Sequence, residues 1–194
     1  MTLPGTADTD TQQIARGLRH RDVALLNALV AQYQYRLDRY LIYILGSRDA
    51  VDDLVQATWL RVLERGRTYN GQSRFEPWLF TIARNLAIDT MRKRRIVSLD
   101  APGDDDPDLS IEPISQAASP FDQAARTEDA HRLAQSLLTL EPIYREALVL
   151  RFQEDLSLQE MAKVTGAPVS TVSTRIYRGL AALRAHLEGE QNAN

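Results

Sequence analysis

Apolar residues set the first prediction. Leu25, Leu29, Tyr33, Leu37, Tyr40, Leu41 and Ile44 recur at three- and four-residue steps, which places one apolar stripe on a long amphipathic helix ending near Gly46. The tip GSRDA closes it, with Ser47 and Asp49 as candidate caps for the next helix. That helix, DAVDDLVQATWLRVLERG, turns Val51, Leu54, Val55, Thr58, Leu60, Val62 and Leu63 inward, wholly or in part, and stops at Gly66. The loop RTYNGQSR follows, where Asn70-Gly71 is a strong turn signal. A further helix, FEPWLFTIARNLAIDTMRKRRI, takes core contacts from Trp78, Leu79, Ile82, Leu86 and Ile88 to Met91.

The pattern then lapses. The stretch SLDAPGDDDPDLSIEPISQAASP carries four prolines and has neither helical nor alternating periodicity, the composition of a flexible or disordered linker. Helical spacing resumes in DQAARTEDAHRLAQSLLTL, and Pro142 suits the first turn of a helix running to about Phe152. The segment LSLQEMAKVTGAPVSTVSTRIYRGLAALRAHL reads as a helix-turn-helix. Ser157 and Glu160 form a capping box, Gly166 ends the first helix, Pro168 lies in the turn, and the second helix carries Val172, Ile176, Leu180 and Leu183 on one face. Its opposite face shows Ser170, Thr171, Ser173, Thr174, Arg175 and Arg178, short hydrogen-bonding side chains and arginines that suit base edges and phosphates in a major groove.

Charge sharpens this picture. The 194 residues carry a net charge of -3, which by itself argues against a polyanionic partner. Yet residues 96–125 hold seven acidic residues and no Lys or Arg, and the rest of the chain has 23 basic against 19 acidic residues. The acidity is local, and the run Arg92, Lys93, Arg94, Arg95 stands in a basic context. The absence of cysteine excludes disulfides and thiolate zinc sites, and His20, His131 and His186 lie too far apart to suggest a metal pair. The N-terminus lacks the blocks of a signal peptide, and no apolar run reaches the roughly 18 residues of a membrane helix, so a cytosolic protein is expected. No metal cluster, phosphate-cradling glycine loop or nucleophile motif supports an enzyme, and no cofactor is expected.

In this order, the motifs resemble the extracytoplasmic-function (ECF) group of bacterial sigma factors, of the sigma-70 family. DAVDDLVQATWLRVLE is similar to region 2.2, FEPWLFTIARNLAIDTMRKRR to regions 2.3 and 2.4, and LSLQEMAKVTGAPVSTVSTRIYRGLAALR to region 4.2. The resemblance implies an all-α chain: region 2 over residues 1–95, an acidic linker over 96–125, region 4 over 126–188 and a disordered tail over 189–194. It also implies the partners, namely core RNA polymerase through its β′ clamp and β subunits, promoter DNA, and an anti-sigma factor.

Residue by residue, Asp49, Asp52, Asp53, Leu54, Gln56 and Trp59 are expected to meet the polymerase clamp. Tyr69, Asn70 and Arg74 are expected to line a pocket for a flipped base of the −10 element, while Asn85 and Asp89 read base edges and Arg92, Lys93, Arg94 and Arg95 neutralise phosphates. Ser170, Thr171, Ser173, Thr174, Arg175 and Arg178 are expected to contact the duplex −35 element. Two positions depart from the family pattern: Ala57, often acidic there, and Ser173, commonly Lys or Arg. The linker is expected to thread the polymerase's basic RNA-exit path or to act as a plain spacer. A stand-alone helix-turn-helix regulator, usually a symmetric dimer on duplex DNA, is the alternative; it leaves the basic region 2 helix without a use.

Overall fold

The computed structural model describes residues 6–99 and 128–192, and all regular structure among them is helical. The first half holds α1 (Thr6–His20), α2 (Val23–Leu45), α3 (Val51–Arg65), a 3-10 turn (Gly66–Thr68) and α4 (Phe75–Leu99). The second holds α5 (Glu128–Thr139), α6 (Pro142–Leu148), a π-helical turn (Val149–Gln153), α7 (Leu158–Thr165) and α8 (Val169–Asn192). Residues 100–127, most of the acidic linker, lie outside the described residues.

Local chemistry sets most helix ends. Asp22 caps α2, its Oδ1 accepting from the Ala24 and Leu25 amides at 2.9 and 3.2 Å, and Gly46 ends the helix with φ of 73°. Ser157 and Glu160 form the expected capping box of α7, which Gly166 closes at φ of 68°. Pro142 occupies the first turn of α6 as read.

Five expectations are corrected. Neither Ser47 nor Asp49 caps α3; Ala50 stands at the cap position with φ of 62° and no side-chain hydrogen bond. The fourth helix does not stop at its basic run, because no Pro or Gly breaks it before Leu99, and α8 likewise continues to Asn192 through the segment read as a tail. Leu60, Leu63 and Ile88 are 54%, 39% and 39% exposed, since each points away from the helices that cover its neighbours. Leu180 is also exposed; α8 instead packs through Val172, Ile176 and Gly179, where a Cβ would meet Leu148 Cγ at 3.1 Å.

One apolar core joins the halves. Leu37, Tyr40 and Leu41 of α2 and Leu79 and Phe80 of α4 are fully buried, continuous with Leu148, Leu150, Met161 and Val172. Tyr40 stacks edge-on against Phe80 at 4.9 Å. The second half thus lies on the first, α6 against α2 and α7 against α4. Among the described residues no helix is long and apolar enough to cross a membrane.

Candidate polymerase and promoter interfaces

α2 and α3 leave a groove of about 400 Å³ between them. Trp59, Leu60 and Leu63 supply its apolar wall, and Asp38, Asp52 and Gln56 its polar one. Burial, then the charge of Asp52, raises the Asp38 carboxyl above its ordinary range against the pull of Arg48. Asp49, Asp52, Asp53 and Gln56 are exposed as the sequence predicts, and Trp59 is half-buried. Leu54 is 5% exposed and belongs to the core, so it offers a partner nothing. The groove's exposed apolar residues are Leu60 and Leu63, and the signal for them was their helical spacing from Gln56 and Trp59.

The loop between α3 and α4 is tightly tied. Asn70 Oδ1 accepts from the Gln72 amide at 3.0 Å, and Gly71 takes φ of 72°. Gln12 of α1 donates from Nε2 to the Gly71 carbonyl at 3.2 Å, and a Cβ at Gly71 would meet the Thr11 carbonyl oxygen at 2.9 Å. Tyr69 is 2% exposed, its ring 5.4 Å from both Phe75 and Trp78 and its hydroxyl donating to the Ser73 carbonyl at 2.6 Å. Tyr69 therefore supports the loop from beneath, while Asn70 stands exposed on its surface. Burial, then the charges of Glu76 and Asp10, pushes the Tyr69 phenol up to about 12.

Arg74 is engaged elsewhere: its Nη1 donates to the Asp155 carbonyl at 3.1 Å and its Nη2 lies 3.4 Å from Glu76 Oε1. Burial opposes its charge, but Glu76 leaves the guanidinium raised overall. On α4, Asn85 and Asp89 are both exposed one turn apart, and Arg92 Nη2 donates to Asp89 Oδ1 at 3.1 Å. Lys93 and Arg94 are exposed; the side chain of Arg95 lies outside the described residues. On α8, Ser170, Thr174 and Arg178 are exposed and Thr171, Ser173 and Arg175 half-buried, a ragged polar surface opposite buried Val172 and Ile176. Tyr177, 73% exposed, belongs to the same surface and was missed, because an aromatic within a helical pattern reads as core.

Two exposed polar helix faces and a groove now stand on one helical frame. Residues 29–96 match the family Sigma-70 region 2, and residues 130–183 match Sigma-70, region 4. The ECF RNA polymerase sigma factor SigX of Bacillus subtilis (strain 168) is 32% identical over 156 residues, 80% of each chain. The chain belongs to the ECF sigma factors of the sigma-70 family. SigW of the same organism is 28% identical over 162 residues, 82% of this chain and 87% of its own. The fold is also that of the sigma factor RpoE from Bartonella quintana, solved in complex with the anti-sigma factor NepR, at TM-score 0.67 and 23% identity over 84% of this chain and 96% of that one. As an ECF sigma factor, the protein directs promoter-specific transcription initiation by RNA polymerase.

Proposed function

We propose a division of labour among these surfaces. The groove between α2 and α3 docks on the β′ clamp, with Asp49, Asp52, Asp53 and Gln56 facing basic residues and Trp59, Leu60 and Leu63 giving apolar contact. The loop of Asn70, braced by Tyr69, receives a flipped base of the −10 strand. Asn85 and Asp89 read neighbouring base edges, and Arg92, Lys93, Arg94 and Arg95 track the phosphates. On α8, Ser170, Thr171, Ser173, Thr174, Arg175 and Arg178 contact the −35 duplex, with the arginines replacing the cation that Ser173 lacks. The acidic linker occupies the polymerase's basic RNA path, and the chain acts in the bacterial cytoplasm as a specificity subunit without catalysis of its own. An anti-sigma factor is a further partner, in keeping with the complex of RpoE with NepR.

One observation carries this assignment: each reading face is solvent-exposed on a helix whose other side is core, α4 through Asn85 and α8 through Ser170 and Arg178. The test is run-off transcription with core RNA polymerase on genomic fragments, with and without the protein, followed by sequencing of RNA 5′ ends. Starts that require the protein and share two upstream motifs are expected. Tight binding of the protein alone to duplex DNA with no new starts would return the reading to a stand-alone regulator.

A further inference from the structure

The first helix carries none of the surfaces assigned above. α1 precedes the region 2 match, which begins at residue 29, yet it is built into the loop between α3 and α4. Gln12 donates from Nε2 to the Gly71 carbonyl at 3.2 Å, and a Cβ at Gly71 would meet the Thr11 carbonyl oxygen at 2.9 Å and Ala15 Cβ at 3.1 Å. Further along α1, Leu18 packs on Gly66, where a Cβ would lie 3.1 Å from Leu18 Cβ. α1 therefore runs back along the segment from Gly66 to Gly71, and its C-terminal end lies beside the end of α3.

That packing fixes which side chains of α1 stand beside the loop. Ile14, Ala15 and Leu18 are buried, and Gly17 turns toward Leu25 of α2. Gln12, Arg16 and Arg19 follow one another at steps of four and three and form one ridge on the loop's side of the helix. All three are exposed. At 1.5 Å per residue, Arg16 and Arg19 stand about 6 and 10 Å beyond Gln12. The contact of Leu18 with Gly66 brings Arg65 and Arg67, both exposed, to the same corner as Arg19.

These cations have no acid partner. Among the described residues none of Arg16, Arg19, Arg65 and Arg67 forms an ion pair, whereas Arg36, Arg61, Arg74, Arg84 and Arg92 each pair with a carboxylate. The neighbouring carboxylates are engaged or distant: Glu64 holds Arg61 at 3.0 Å, Asp22 caps α2, and Asp10 lies six residues before Arg16. Unpaired guanidiniums gathered at one corner raise the local positive potential, which favours a polyanion.

Their position says which polyanion. The basic run of α4 leads toward the linker and the half assigned to the −35 element, so it marks the upstream end of the −10 strand, and the loop at the other end of α4 lies downstream. A strand whose base is captured at Asn70 continues away from α4. Arg74 is held there by Glu76 at 3.4 Å, and the unpaired cations are those of α1 and the 3-10 turn. We propose that Arg16, Arg19 and Arg67 bind the phosphates of the next two or three nucleotides of the unpaired strand, a sequence-independent track that holds the strand just downstream of the flipped base. The spacing fits, since about 6 and 10 Å span two and three steps at about 3.4 Å per nucleotide. The proposal rests on the reading of the loop as the base pocket.

The test uses holoenzyme, core RNA polymerase with the full chain, on fork-junction DNA carrying a promoter mapped by run-off transcription. The unpaired strand ends at the flipped base or runs three nucleotides further. With the unaltered chain the extension raises affinity and steepens its salt dependence. Arg16→Gln with Arg19→Gln and Arg67→Gln takes about 2 off the log–log slope on the long template, three phosphates at about 0.7 each, and changes nothing on the short one. Arg16→Lys with Arg19→Lys and Arg67→Lys keeps the slope, and abasic sites in the three added nucleotides leave it in place. All three residues are exposed, so thermal melting of the Gln variant matches the unaltered chain. An equal slope for the Gln variant and the unaltered chain on the long template overturns the proposal. Equal losses on both templates, or weaker assembly with core polymerase, also overturn it and place the ridge against protein. Loss of the gain with abasic sites overturns it in favour of base reading. Asn70→Ala that leaves binding of the short template unchanged would sink the base pocket itself, whereas a slope insensitive to the ridge, with the pocket intact, sinks this proposal alone.

Discussion

Replacing Tyr69 by phenylalanine separates bracing the loop between α3 and α4 from the proposed contact with DNA. The hydroxyl donates to the Ser73 carbonyl at 2.6 Å across the turn, and the ring is 2% exposed among Phe75 and Trp78. Tyr69→Phe keeps the ring and creates no cavity, so its cost is one hydrogen bond whose acceptor is left partly buried, about 1 kcal/mol. For a chain of this size that lowers Tm by about 2–4 °C. Tyr69→Ala removes the ring as well and costs about 3–5 kcal/mol, a large share of the 5–15 kcal/mol typical of a folded domain. Thermal melting by circular dichroism measures the first effect. Permanganate reactivity of unpaired thymines in the polymerase–promoter complex measures strand opening. We expect Tyr69→Phe to melt a few degrees lower, with open-complex formation reduced modestly and in step. An unchanged Tm together with reactivity as low as that of Tyr69→Ala would mean that the hydroxyl is spent on DNA, and the bracing argument would fail.

Further outcomes follow from the same geometry. Asp38→Asn relieves a carboxyl whose folded-state pKa is raised by burial and Asp52. The penalty acts above that pKa, so the variant should melt higher at neutral pH, gain nothing below the unfolded pKa, and bind core polymerase more weakly; a lower neutral-pH Tm would refute this. Glu76 runs the other way: burial raises its pKa, but its own backbone amide, Arg74, Arg36 and Tyr33 together lower it below 4.5. Its stabilisation is present above the unfolded pKa and lost as pH falls through the folded one, so Glu76→Gln should flatten the acid limb of Tm against pH. Asn85→Ala should reduce open-complex formation severalfold and leave core binding intact, and equal loss of both would remove Asn85 from the reading surface. Arg178→Ala should weaken −35-dependent transcription by roughly tenfold, about the 1–3 kcal/mol of one contact to a base edge, and an unaltered footprint over −35 would count against it.

Features legible in the sequence were those fixed within a few residues. Gly46 and Gly166 end helices because both need positive φ, and Ser157 with Glu160 closes a reciprocal pair three residues apart. The exposed polar faces of α4 and α8 were legible for the same reason, since helical period alone puts Asn85 beside Asp89 and Ser170 beside Thr174. Burial of individual apolar residues was less so. α3 carries apolar side chains around most of its circumference, and only the packing of α2 and α4 decides that Leu54 and Val55 are covered while Leu60 and Leu63 border a groove. Tyr69 follows the same logic: beside Asn70-Gly71 it reads as a loop residue, and only Phe75 and Trp78 from the next helix draw it inside.

The ion pairs between the halves were illegible in principle. Arg84 and Glu146 are 62 residues apart, and Arg36 and Glu154 are 118 apart, on either side of the linker, and each alone has the composition of a solvated helix face. Net charge misled in the same way. The chain's acidity was read as a local property of the linker, yet two acidic residues outside it, Glu146 and Glu154, pair directly with Arg84 and Arg36 of the first half. A carboxylate held by a guanidinium across the linker has no signature in periodicity or composition.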